Sequence, residues 1–184
     1  LCGRDVVVAK CGIGKVFAAL CAHTMILRYG VKSIINTGVA GTLVSCLNIL
    51  DFAVSSAVVQ HDIDTTVLGD APGLISGINV VEIPASRELS LLAMNTALDQ
   101  GSPCARGIIA SGDQFISNSE RKDFIRTTFG AIACEMEGAA IAHVCYVNAT
   151  PCCVIRAISD SADEGSSMDY MKFLPIAAKN CASI

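Results

Sequence analysis

Glu135, Met136 and Glu137 set two carboxylates between a short apolar run, residues 131–134, and the alanine-rich stretch 137–147. A carboxylate in such surroundings must be hydrogen-bonded or shifted in pKa, and two of them together suggest a polar ligand. Arg156 is a second anomaly. It interrupts residues 152–158, which are otherwise apolar, and a guanidinium in a buried run needs a carboxylate or an anionic ligand. Glu135 or Glu137 could supply it. The same run leads into Ser159-Asp160-Ser161-Ala162-Asp163. Two further segments set polar or glycine residues after apolar stretches: Asn36-Thr37-Gly38-Val39-Ala40-Gly41 and Ser111-Gly112-Asp113-Gln114-Phe115-Ile116. Taken singly, each has an ordinary explanation as a glycine turn, an N-cap aspartate or an acidic helix N-terminus. A site requires them to converge. His143, on an apolar helical face, reads as a hydrogen-bonded core histidine.

Convergence depends on the elements that carry these segments. Residues 6–9 form a short β-branched run. After Gly12-Ile13-Gly14, residues 15–29 repeat apolar side chains at helical spacing and stop at Gly30, which predicts strand, glycine turn and helix. Residues 33–37 and 52–59 predict buried strands. Residues 62–77, with Gly69, Pro72, Gly73 and Gly77, predict an irregular excursion of the kind that carries specificity or subunit contacts. A helix over 86–98 and a strand over 107–110 follow, and Ser117-Asn118-Ser119-Glu120 has the capping-box pattern of a helix that Gly130 closes. Residues 131–134 predict a strand, 137–147 an internal helix, 152–158 the last strand and 169–181 a closing helix. Strands alternating with helices imply an α/β fold, a three-layer αβα sandwich with a central mixed sheet and its ligand site at the carboxyl ends of the strands.

Bulk properties narrow the function classes. At 184 residues and 52% hydrophobic the chain suits one domain with a large core. A net charge of -4, with Lys and Arg scattered, gives no footprint for nucleic acid. Mean hydropathy is +0.55, yet the charge-free stretches are broken by Asn, Thr, Gly and Pro, so no membrane span is expected. The ten cysteines include no C-x-x-C, and the vicinal Cys152 and Cys153 read as buried free thiols. The three histidines lack metal spacing, so no metal is expected. With no signal-peptide pattern, a reducing cytoplasm fits best.

The motifs Cys11-Gly12-Ile13-Gly14-Lys15-Val16, residues 34–41, His61-Asp62-Ile63-Asp64, residues 111–116, residues 135–142 and Arg156-Ala157-Ile158-Ser159-Asp160 occur in order at consistent separations. Together they resemble the nucleoside phosphorylase family, on the side of its bacterial 5'-methylthioadenosine/S-adenosylhomocysteine nucleosidases, over nearly the whole chain. The resemblance implies that residues 1–184 are a single domain of this type lacking its N-terminal strand and helix. It further implies hydrolysis of the N-ribosidic bond of an adenine nucleoside, without a cofactor. Under it, Asp160 is the general acid toward adenine N7, oriented by Ser159, with its pKa raised by an apolar site. Glu137 binds the ribose hydroxyls, Met136 packs on the ribose face, and Phe115 stacks on the adenine. The backbone of Ile116 reads the purine edge, while Val39, Ala40 and Gly41 line the ribose and water side. Arg156 anchors the water or its carboxylate partners, among them Glu135, and Tyr170 and Phe173 cover the 5'-substituent. The acid that activates water in the family lies on a strand upstream of Leu1, and Val39 replaces a common serine.

Two alternatives stay open at this point. One is a purine or uridine nucleoside phosphorylase, which would need arginines at a phosphate site. The other is a non-catalytic nucleoside-binding or storage relative. The resemblance also implies a homodimer, with residues 61–77 as a candidate contributor to the partner's 5'-pocket.

Overall fold

A computed structural model describes residue 3 and residues 5–182, so the ends of the expected 1–184 domain lie outside the described residues. Helix α1 (Lys15–Tyr29) is followed by strands β1 (Ile34–Thr42) and β2 (Phe52–Gln60). A two-residue strand β3 (Ile83–Pro84), helix α2 (Arg87–Asp99) and strand β4 (Cys104–Ser111) come next. The rest is α3 (Ser119–Phe129), β5 (Ala131–Glu135), α4 (Gly138–Val147), β6 (Cys152–Asp160) and α5 (Ser166–Cys181). Helix ends fall where cap chemistry puts them. Ser86 and Asn118 accept hydrogen bonds from the amides of Leu89 and Arg121, and Gly30 and Gly130 close α1 and α3 in the left-handed conformation. The N-cap of α3 is therefore Asn118, one residue after the Ser117 that the capping-box pattern implies. The excursion after β2 holds a single 3-10 turn, Thr66–Leu68.

The sheet is mixed, in the order β3-β2-β4-β5-β1-β6. β2 runs parallel to β4, β4 to β5 and β1 to β6, while β1 against β5 and β2 against β3 are antiparallel. Helices α1 and α4 pack on one face through Ala18, Ala22 and the alanines of α4, and α2 and α5 pack on another through Ala93, Ala97 and Ala177. Alternation divides β6 between them. Cys152, Val154 and Ile158 face the α4 side, and Cys153, Ile155 and Ala157 face α2 and α5.

Two features were not legible in the sequence. β6 also pairs antiparallel with β2, Phe52 opposite Ala157 and Val54 opposite Ile155, so the sheet curls until β6 meets the strand beside its far edge. Register shifts at Ser55/Ala57, Ile108/Ile109 and Ala40/Gly41 accompany the curvature. Residues 6–9, read as a strand, have no regular structure, and Val8 is 88% exposed. A β-branched run without a neighbouring strand has nothing to pair with.

Candidate active site

β1 and β5 touch only where Gly41 and Thr42 meet Cys134 and Ala133, and their ends then frame an opening. A cavity of about 520 Å³ fills it. Its walls are Asn36 to Gly41 from β1, Cys134 to Glu137 from the β5–α4 junction, and Arg156, Ser159 and Asp160 from β6. Gln114, Phe115 and Ile116 follow β4, Tyr170, Leu174 and Ala178 come from α5, and Lys10 to Ile13 precede α1. The four segments singled out by sequence therefore converge.

Arg156 is 1% exposed and is held by acceptors on three elements. Its Nη2 donates to a Glu135 carboxylate oxygen and to Asn36 Oδ1 at 2.5 Å, and its Nη1 to the carbonyls of Asn36 at 3.2 Å and Ile155 at 3.0 Å. Glu135 in turn caps α4. It accepts the amides of Glu137 at 3.1 Å and Gly138 at 2.8 Å, plus the hydroxyl of Ser111, which itself accepts the Ala139 amide at 2.7 Å. Negative charge at a helix N-terminus is favourable, so the pair is held from both sides, with Arg156 Nε left without a hydrogen-bond partner among the described residues. Glu135 and Arg156 thus brace the site's frame.

Glu137 is half-buried, and its Oε1 accepts the Gly14 amide at 2.8 Å. Burial, with the like charge of Glu135, raises its pKa above the usual carboxylate range, against the Gly14 bond and Arg156. Asp160 is 3% exposed. Its Oδ2 accepts the Ser159 hydroxyl at 2.8 Å and its Oδ1 the Ala162 amide at 2.9 Å. Burial again dominates and raises its pKa, opposed by those bonds. A buried carboxyl able to carry a proton, lining the same cavity as a second carboxyl able to accept, suits protonating one part of a ligand while binding hydroxyls on another. Phe115 and Tyr170 meet edge to face, 5.5 Å between centroids, over the apolar side of the cavity.

Of the residues named from sequence, Val39, Ala40, Gly41, Phe115, Ile116, Glu135, Met136, Glu137, Arg156, Ser159, Asp160 and Tyr170 line the cavity. Phe173 does not. The face of α5 toward the cavity is Tyr170, Leu174 and Ala178, one helical turn apart, and Phe173 carries the Lys172 ammonium over its ring, 4.7 Å away. Counting in fours from Tyr170 would have found Leu174 and Ala178. Asn36 and Ser111 open two of the segments singled out by sequence, where neither had a role of its own; here Asn36 accepts from Arg156 and Ser111 bonds Glu135. Nothing in the spacing marks Lys10 or Cys134. His143 bonds Gln60 through Nδ1 at 3.3 Å, as a core histidine should.

No helix among the described residues is long and apolar enough to cross a membrane, and they hold no group of three or more potential metal ligands. The chain is 42% identical over 179 residues to the aminodeoxyfutalosine nucleosidase of Helicobacter pylori, covering 97% of this chain and 77% of that protein. It is similar to the structure of the 5'-methylthioadenosine/S-adenosylhomocysteine nucleosidase from Helicobacter pylori, at 42% identity and a TM-score of 0.94, over 97% of this chain and 77% of that one. For the Neisseria meningitidis nucleosidase of the same name, in complex with methylthio-immucillin-A, identity is 37% and the TM-score 0.95, over 100% and 80%. The family model described as the phosphorylase superfamily matches residues 1–184. With that full-length match and relatives of this identity, the chain belongs to the phosphorylase superfamily.

Proposed function

We propose that this chain, as one domain, hydrolyses the N-ribosidic bond of a 5'-substituted adenine nucleoside such as 5'-methylthioadenosine or S-adenosylhomocysteine. Water adds at C1' as the C1'–N9 bond breaks, and sheds a proton to solvent. The bonding pair leaves with the purine, and Asp160 delivers a proton to N7 so that adenine departs neutral. The carboxyl then regains a proton from solvent. Ser159 orients that carboxyl. Glu137 accepts hydrogen bonds from the ribose hydroxyls, contacts that strengthen as positive charge develops on the sugar. Met136 packs on the ribose, Phe115 on the adenine, Ile116 at the purine edge, Val39 to Gly41 along the sugar, and Tyr170 near the 5'-substituent.

The observation that carries this reading is the Asp160 carboxyl, 3% exposed and held by Ser159 and Ala162, lining the same cavity as Glu137. The names of the relatives support it. Phosphorolysis fits less well. The cavity's one arginine among the described residues is already engaged by Glu135, Asn36 and Ile155, and its remaining cation, Lys10, is exposed. A purely binding role gives no reason to bury a carboxyl in this cavity.

A homodimer is part of the proposal. α1 exposes Val16, Phe17, Leu20 and Leu27, and the excursion's tip exposes Val67 and Leu68, more apolar surface than an isolated chain needs to show. A cytoplasmic setting accords with nine free cysteines among the described residues.

The test is adenine release from 5'-methylthioadenosine, with and without phosphate, by the protein and by Asp160→Asn. Release should be independent of phosphate and should fall by ~100-fold or more in the variant. A variant rate within a few fold of the parent would remove Asp160 from this role, and an absolute need for phosphate would replace water as the nucleophile.

A further inference from the structure

The first turn of α1 has no cap of its own. Gly14 occupies the N-cap position without a side chain, so the free amides there must find acceptors elsewhere. Gly14 N donates to Glu137 Oε1 at 2.8 Å and Lys15 N to Asp113 Oδ1 at 2.8 Å. Asp113 N donates to Asp62 Oδ2 at 2.9 Å, and Asp62 Oδ1 accepts the Lys15 ammonium at 2.7 Å. These bonds close a ring over three segments: the start of α1, the turn after β2 and the turn after β4. Lys15 Nζ also reaches Gln60 Oε1 at 3.2 Å, and Gln60 is bonded to His143 on α4.

We propose that Lys15, Asp62 and Asp113 are positioning residues for the reaction: their ring holds the Gly14 N–H on Glu137 and locks together two walls of the cavity. Those walls are residues 10–13, directly ahead of Gly14, and residues 114–116, directly after Asp113. The inference rests on the hydrolase reading above.

Steric detail agrees with a closely drawn ring. A Cβ at Gly14, which sits at φ +92°, would lie 3.0 Å from Asp113 Oδ1, and one at Gly112 would lie 2.5 Å from the His61 ring and 3.1 Å from the Asp62 carboxyl carbon. Only glycine lets these segments approach so far. Burial would raise the Asp62 pKa, but the Lys15 ammonium and the Asp113 amide hold it below its ordinary value, so Asp62 is ionised for both contacts. The charged or titratable groups that act on Glu137 besides this contact are Glu135, Arg156 and the Cys11 thiol. Withdrawing the Gly14 amide removes a bond that favours the ionised form of Glu137, so its pKa rises further. Activity that needs ionised Glu137 then begins at higher pH.

Asp62→Asn, Lys15→Met and Lys15→Arg test this, with thermal melts to establish folding. In Asp62→Asn and Lys15→Met, kcat for adenine release should fall about 10- to 100-fold, as misplacement of a catalytic group does. KM should change less, and the acid limb of the pH profile should move upward. Lys15→Arg should recover most of the rate. Amide exchange at Gly14 and Lys15 should quicken in Asp62→Asn while the rest of α1 keeps its protection. Folded variants with unchanged kcat and acid limb would overturn the proposal and leave the hydrolase reading standing. If the parent itself releases no adenine, that reading fails, and amide exchange decides the ring: unaltered protection of Gly14 and Lys15 in Asp62→Asn refutes it. Asp62→Asn keeps the side chain's volume and carries the test should Lys15→Met not fold.

Discussion

One methyl group at position 41 tests the proposed acid by steric means alone. Gly41 lies in β1 at the register shift opposite Asp160, with a backbone conformation open to any residue, so Gly41→Ala adds no backbone strain. Its Cβ would stand 2.6 Å from Asp160 Oδ1, 3.0 Å from Ala162 Cβ and 3.3 Å from Ala162 N. The closest of these is about 0.8 Å short of ordinary contact. The strand cannot retreat, because β6 on one side and β5 on the other hold it. The carboxyl and the turn it accepts from must move instead, and Asp160 leaves the position set by Ser159 and Ala162. Overpacking of this kind costs about 1–3 kcal/mol of stability, whereas a shift approaching 1 Å at a catalytic group costs about 100-fold in rate. The expected outcome is a folded protein, with a melting temperature lowered by several degrees and kcat for adenine release down by about two orders of magnitude. Melting curves and initial rates at saturating 5'-methylthioadenosine read both. A folded Gly41→Ala protein with kcat within a few fold of the parent would refute the reasoning, because the carboxyl's placement would then not matter.

Two other outcomes follow from charge and surface. Burial holds the Asp160 pKa above its ordinary 3.8, so its contribution to stability is full below the unfolded value and lost as pH rises through the folded one. Asp160→Asn should therefore melt higher than the parent near about pH 8, with the difference shrinking toward about pH 4; a pH-independent difference would contradict the sign. If the exposed apolar residues of α1 and the excursion meet a second copy, Leu20→Glu combined with Val67→Glu should convert the protein from dimer to monomer in sedimentation without lowering its helix content. A parent that sediments as a monomer would exclude the dimer.

The sequence by itself determined the order and type of most elements, because those depend on short-range patterns. Alanine-rich 137–147 could only be an internal helix, apolar 152–158 only a buried strand, and Gly30 and Gly130 could only close helices. It also marked the chemically costly residues, since Glu135, Glu137 and Arg156 are charges where burial was due. Tertiary structure decided which of those charges meet. Arg156 and Glu135 could be paired from sequence only as one option of two; the strand order, with β1 between β5 and β6, sets Arg156 against Glu135 across Asn36 and leaves Glu137 to the cavity and the Gly14 amide. It also decided that Leu174 and Ala178, not Phe173, share the cavity face with Tyr170, since the rotation of α5 is set by its packing on β6 and β1 through Ala177 and Cys181. Residues 6–9 show the limit from the other side: a strand needs a neighbour, and a neighbour is a property of the fold and never of the run itself.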